Sequence, residues 1–217
     1  MNTIVKLFSL VLICSFFSCS SDSVDSQSTT NGGALTIGDK TIVLSQAYLE
    51  NYGKRGNAYN VDFSARSETL SGTNTDAAVV YFELFSSVDK KLAKGDYMLG
   101  DYSSATAFTY TPWGESLLGL NITSTDKGLR VANGISIKPT EGVFTVTENG
   151  KQYKVNFSGK GTANTFANGV LTTTQENVDF SMNYTGNVKI YAGVEYTTAK
   201  KVNSKERVAK AHTVLFN

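Results

Sequence analysis

The chain has 217 residues, with 20 Lys and Arg against 19 Asp and Glu, one His, two Cys and two Pro. Aromatic residues make up 11%, too many for a disordered chain, and a net charge of +1 lacks the basic field of a nucleic-acid binder, so no nucleic-acid partner is expected. Two cysteines are too few for a disulfide scaffold or a four-cysteine zinc module, and no cofactor is expected.

The chain begins with an address. Lys6 is the only charge in the first 21 residues, and Leu7 to Phe17 form an apolar run interrupted by Ser9, Cys14 and Ser15. A short basic start followed by such a run matches a secretory signal and is too short for a membrane span. The run closes in Phe16-Phe17-Ser18-Cys19 and then turns polar at Ser20-Ser21-Asp22. This resembles the bacterial lipoprotein signal, in which a small residue precedes the cysteine to be acylated. The resemblance implies that residues 1–18 are removed and that Cys19 becomes a lipidated N-terminus. At about 0.8 kcal/mol per buried methylene, two or more acyl chains make a stable anchor. The partner implied is the membrane itself, and the expected location is the outer membrane, on its surface or periplasmic face. Cys14 leaves with the signal, and loss of Lys6 leaves nineteen basic and nineteen acidic residues.

Residues 19–34 read as the acylated cysteine and a disordered tether, since Ser, Thr, Asp, Asn and Gly dominate around the single Val24. Asp22 and Asp25 resemble the acidic surface-export signals of Bacteroidota lipoproteins. Asp22-Ser23-Val24 resembles the Asp-Ser/Thr-aliphatic site that these bacteria O-glycosylate, which makes Ser23 a candidate glycosylation site.

From residue 35 to 217 the period is two. Tyr59, Val61 and Phe63 alternate with Asn60, Asp62 and Ser64, and Val178, Phe180, Met182 and Tyr184 alternate with Asp179, Ser181 and Asn183. Such alternation predicts strands with one buried and one wet face. Ala77 to Phe85 is nearly continuous apolar and reads as a strand covered on both sides. Asn149-Gly150 predicts a two-residue type I′ hairpin, with Glu148 opposite Lys151, Val146 opposite Tyr153, Thr145 opposite Lys154 and Phe144 opposite Val155. The pentapeptide Asn-Val-Asp-Phe-Ser occurs at 60–64 and again at 177–181. Its flanking turns do not align, so it is read as shared strand grammar rather than duplication. Together these elements predict one all-β domain with little or no helix, an antiparallel β-sandwich or barrel-like meander.

Several segments carry a further resemblance: Ala47-Tyr48 with Tyr52-Gly53, Tyr59 to Phe63, Leu92 to Tyr97, Gly142 to Val146, and Tyr153 to Phe157. Over residues 42–191 the chain resembles small exported all-β lipoproteins of Bacteroidota. The resemblance implies a tethered β domain and carries no catalytic residues with it.

The chemistry-bearing residues are sparse. His212 stands alone, six residues from the chain end, where no third group is at hand to orient it as a catalytic base. Zinc would need partners the mature chain lacks. A carboxylate pair for glycoside cleavage would draw on Glu83, Asp96, Asp101, Glu115 or Glu141, and Glu83 stands out because it interrupts an apolar strand. Thr73-Asn74-Thr75-Asp76 reads as a polar hairpin end rather than a calcium loop.

Aromatic residues give the binding signal. Tyr97, Tyr102, Phe108, Tyr110 and Trp113 fall within seventeen residues, and Thr111-Pro112-Trp113-Gly114 reads as a turn. Rings on a loop can stack on the apolar faces of sugars, so Tyr97, Tyr102, Tyr110 and Trp113 are the candidate ligand-binding residues. From Lys200 the chain turns basic, with Lys200, Lys201, Lys205, Arg207 and Lys210 against Glu206, which suits a solvated edge strand or contact with anionic glycans or headgroups. The expectation is a lipoprotein without catalysis, a binding or adhesive module accessory to capture of a glycan or surface protein. The alternatives are a lipocalin-like barrel carrying a small ligand and, third, a carboxylate-based hydrolase.

Overall fold

Period-two patterning becomes strand along nearly the whole described chain. The computed structural model describes residues 31–67, 77–111, 116–125 and 128–192. Among them twelve strands follow one another: β1 (Gly32–Ile37), β2 (Lys40–Leu44), β3 (Gln46–Arg55), β4 (Ala58–Arg66), β5 (Ala77–Ser86), β6 (Gly95–Leu99), β7 (Thr109–Thr111), β8 (Ser116–Thr125), β9 (Gly128–Asn149), β10 (Tyr153–Ala167), β11 (Val170–Gly186) and β12 (Val188–Ala192). They form one sheet in the order β12-β3-β4-β5-β7-β6-β9-β10-β11-β1-β2, curled into a half-barrel, with β8 off this path between β5 and β9. The all-β, barrel-like expectation holds.

The sheet is mixed. β12–β3 and β6–β7 run parallel, and the other pairings are antiparallel. A parallel pair cannot be closed by a tight turn. The segment 100–108 supplies the crossover from β6 to β7, while β12 reaches β3 by leaving β11 through Asn187 alone.

Links of one residue explain the curl. Ser45 alone joins β2, last in the sheet order, to β3, which is second, and Asn187 joins β11 to β12 in the same way. A residue spans about 3.6 Å at most, so strands from opposite ends of the order must meet at these corners. The Ser45 N–H donates to Arg66 O at 2.8 Å, extending the β3–β4 ladder. At the second corner the Asn187 N–H donates to Asn31 Oδ1 at 2.8 Å, and the Tyr184 hydroxyl donates to Asn187 O at 2.8 Å.

Curling brings ring against ring. Phe82 on β5 lies 5.0 Å from Phe144 on β9, 4.9 Å from Phe157 on β10 and 5.9 Å from Tyr110 on β7, centroid to centroid. Phe63 reaches across to Phe144 at 5.6 Å and to Tyr184 at 6.3 Å. Aliphatic residues such as Leu35, Leu44, Val61, Val80 and Val155 complete this cluster. Rings in mutual contact pack against these aliphatic side chains.

Glycine makes one part of this packing feasible. Gly142 on β9 faces Gly159 on β10, and a Cβ on either would stand 2.7–2.8 Å from the Phe157 ring edge. Gly142 also holds φ at +136°, which disfavours any L side chain. The paired glycines thus give the Phe157 ring its place beneath two strands.

Two expectations are corrected. The tether does not extend to residue 34, because β1 begins at Gly32 and pairs Gly33 with Tyr184 and Ala34 with Asn183. Of the two glycines read as linker, Gly33 is needed there for close approach: a Cβ on it would overlap the Asn183 backbone. The hairpin at Asn149 exists but in a different register. Asn149 faces Tyr153 and Glu148 faces Lys154; after a bulge, Val146 faces Val155, Thr145 faces Asn156 and Phe144 faces Phe157. Neither Asn149 nor Gly150 takes a positive φ, so the turn is not type I′. The Asn149 side chain instead donates to Leu92 O at 2.9 Å. Beyond the bulge the register differs from the expected one by two residues, which keeps Val146 and Phe144 facing apolar partners. The type I′ pair is Asn168-Gly169, with φ of 52° and 75° and Ala167 opposite Val170.

Two measurements check this core. Phe82→Ala should destabilise the protein by roughly 3–5 kcal/mol in chemical denaturation, while Leu171→Ala, at an exposed position, should change stability by no more than about 0.5 kcal/mol. Burial pushes the Tyr97 and Tyr184 hydroxyls up to about 12, from an ordinary value of 10.0. The unfolded chain therefore releases these protons first, so stability should fall as pH rises from about 10 to about 12. Denaturation midpoints across that range, with phenolate absorbance followed in parallel, read the effect.

Candidate functional site

Cys19, Ser23, Trp113, His212, the polar segment Thr73–Asp76 and the basic segment from Lys200 lie outside the described residues. Of the predicted aromatic cluster, Tyr97 and Tyr110 are core residues. The Tyr97 hydroxyl donates to Ala93 O at 2.9 Å, and the Tyr110 hydroxyl donates to Gly142 O at 3.0 Å. Burial also raises the Tyr110 hydroxyl, and the Glu141 carboxylate adds to the effect. Their rings pack on Phe144 and Phe157, so neither face is open to a ligand. Alternation along β6 and β7 forces this, since each strand turns one side chain in two towards the rings.

The part of the segment that reaches solvent is different. Met98, Leu99 and Phe108 are exposed by 53%, 37% and 36%. Phe108 holds φ at 63°, a left-handed conformation that a bulky residue adopts only when its surroundings enforce it. They do so from both sides: its N–H donates to Phe85 O at 2.8 Å, and its carbonyl accepts the Met98 N–H at 3.0 Å. The Phe108 ring comes to rest over Gly95 and 5.4 Å from Tyr97.

The crossover 100–108 is pinned behind this ledge. Ala105 packs with Ala58 and Phe85, with Tyr102 and Ala107 against them. The Arg55 guanidinium stacks 3.4 Å from the Tyr102 ring centre. Asp101 folds the turn, accepting from the Ser103 N–H at 2.9 Å and its hydroxyl at 2.6 Å; these bonds hold its carboxyl below the usual range. Tyr102 is thus half-buried and committed to Arg55 and Phe85, leaving Met98, Leu99 and Phe108 as the exposed apolar residues along this ledge. Sequence reading placed Phe108 in the cluster but did not single it out, because backbone strain leaves no mark in composition.

A second constellation was legible only through Glu83. Glu50 on β3, Asp62 on β4, Glu83 on β5 and Thr111 on β7 stand opposite one another in register, forming a row across four strands. The three acids are exposed by only 6%, 1% and 3%. Asp62 accepts from Asn60 Nδ2 at 2.7 Å and from the Tyr81 hydroxyl, and Glu83 Oε2 accepts from the Thr111 hydroxyl at 3.0 Å. The expectation that Asn60, Asp62 and Ser64 form a wet face is therefore corrected, since all three are buried. Glu83 neighbours Asp62, not the acids first considered with it. Asp96 is exposed and accepts from the Thr145 hydroxyl at 2.7 Å, and Glu141 is exposed opposite Lys160.

A polar groove of about 510 Å³ beside the 149–152 turn is lined by Lys94, Glu148, Asn149, Lys151 and Gln152 among others, and brings one acid and no ring. Among the described residues no group of His, Cys, Asp and Glu is disposed to hold a metal ion. Compared with known proteins, the chain matches no family model, no curated protein and no solved structure.

The two copies of Asn-Val-Asp-Phe-Ser provide a test. Asp62→Ala strands the Asn60 and Tyr81 donors in a buried site and should cost roughly 2–4 kcal/mol. Asp179→Ala, at the matching position of the exposed copy, should stay within about 0.5 kcal/mol. Paired denaturation curves measure the difference.

Proposed function

We propose that this protein is a lipid-tethered binding module of the outer membrane, held by acyl chains on Cys19, which captures glycan through the ledge of Met98, Leu99 and Phe108. The observation that carries the reading is Phe108, a half-exposed ring held at a left-handed φ by hydrogen bonds on both sides of its residue. Strain of this kind costs of order 1–3 kcal/mol, and a fold retains it where the presented group has work to do. An exposed ring offers the flat surface on which the C–H face of a sugar stacks. Trp113 follows two residues after the end of β7 in sequence and remains the second aromatic candidate. Residues 19–30 would act as the tether to the bilayer, and glycosylation of Ser23 would fall within it.

Binding to immobilised polysaccharides, measured by calorimetry with the soluble domain, should weaken at least tenfold in Phe108→Ala and Trp113→Ala and remain unchanged in Val43→Ala. Full affinity in both aromatic variants, or capture of a surface protein and no glycan, sinks the glycan reading. Separately, Cys19→Ala should move the protein from the membrane to the soluble fraction, and intact mass should show acyl chains on the wild type.

A further inference from the structure

The groove beside the 149–152 turn is built by three segments far apart in sequence. The 87–94 connection between β5 and β6 supplies Lys94, the turn supplies Lys151 and Gln152, and the corner after β11 supplies Asn187. Hydrogen bonds hold each segment in place. The Ser86 hydroxyl accepts the Val88 and Ala93 N–H groups at 3.2 and 3.0 Å, and the Asn149 side chain ties the turn to Leu92 O. Asn187 is fixed through Asn31 and Tyr184. A cleft assembled in this way is formed before a ligand arrives, and its volume of about 510 Å³ lies in the range of small-molecule sites.

Position and charge indicate what it takes. Lys94 is followed by Gly95, and the Phe108 ring stands 3.0 Å from where a Cβ on Gly95 would lie, so the ring borders the groove. Lys94 and Lys151 bring exposed ammonium groups, and Lys90 and Lys91, exposed on the same connection, add to the positive field against Asp89 and Glu148. Glu148 itself stands opposite Lys154 in register. A bare anion would be repelled by Glu148, whereas the hydroxyls of a sugar donate to it and accept from the carboxamides of Gln152 and Asn187.

We propose that this groove is an acidic-sugar subsite, in which the sugar next to the one on Phe108 lays its carboxylate on Lys94 and Lys151. Resting on glycan capture at the ledge, this narrows the ligand to polysaccharides that contain uronic acids. Ammonium groups at exposed positions give selectivity more than affinity, and their contribution is screened by salt.

Calorimetry with the full mature chain in detergent tests this against polygalacturonate, alginate and hyaluronate, each beside its carboxyl-reduced, neutral form. At least one acidic polymer should bind about tenfold more tightly than its neutral form, and the difference should shrink as salt rises. Lys94→Gln and Lys151→Gln should each weaken the acidic binding roughly two- to fivefold, the scale of an exposed charge pair, and about tenfold together. Lys40→Gln, exposed at the start of β2, should change nothing. Phe108→Ala should weaken the acidic and neutral forms alike. Equal affinity for both forms, with Phe108→Ala still damaging, overturns the acidic subsite and leaves the ledge standing. Acidic binding that depends on the lysines but ignores Phe108→Ala supports the groove and overturns the ledge. An acidic preference that persists in the double lysine variant, or no binding to any of the three polymers, overturns the subsite.

Discussion

Ser45 and Asn187 do more to define this protein than any single side-chain contact. Each is the whole connection between strands that stand far apart in the sheet order. With so short a link the sheet cannot lie open, and the ends must be brought round to meet. Residues far apart in sequence hold the Asn187 corner: the Asn31 side chain accepts its N–H, and the Tyr184 hydroxyl reaches its carbonyl. Everything on the inner face then follows from curvature. Phe63 and Phe82 on one half are turned towards Phe144, Phe157 and Tyr184 on the other, and rings rather than long aliphatic chains bridge the gap.

The strand character of the chain was legible because alternation reports on the inner face directly. Phe180, Met182 and Tyr184 are buried, with Asp179, Ser181 and Asn183 exposed between them, as the pattern requires. The continuous apolar run of Ala77 to Phe85 likewise reads correctly as a strand covered on both faces. What alternation cannot report is what lies on the outer face. Asn60, Asp62 and Ser64 have the same residue types and spacing as Asn177, Asp179 and Ser181, yet they are buried. Identical pentapeptides acquire opposite environments because burial of the outer face is set by long-range packing, which a local pattern does not carry. The signal that was present lay next door, in β5, where Glu83 sits within a run that would be covered on both sides. Its strand neighbours Asp62 and Glu50 follow only from register, which is long-range information.

Register also explains the hairpin. A period of two excludes a slip of one residue but is blind to a slip of two. The choice at Asn149 falls to a contact 57 positions away in sequence, the bond to Leu92 O, which outweighs the local preference of Asn-Gly for a type I′ turn. At Asn168-Gly169 the local preference is realised in full. The aromatic segment follows the same logic. Composition locates the rings, but alternation along β6 and β7 sends Tyr97 and Tyr110 inward, and the positive φ of Phe108 decides which ring is shown to solvent.

The ledge and the acid row are parts of one mechanical unit. Phe108 and Thr111 bracket β7, three residues apart, and both lean on β5: Phe108 through Phe85 O, Thr111 through the Glu83 carboxylate. A three-residue strand paired to β5 and β6 has little rigidity of its own. Its position is set by its pairing to β5 and by the Thr111 hydrogen bond to the buried Glu83 carboxylate. A loop that presents a strained ring needs this kind of support, because relaxation of Phe108 towards an ordinary φ would require β7 to shift against β5 and break the bonds at both its ends. The buried carboxylate thus acts on the exposed ring through the backbone, holding in place a surface it does not touch.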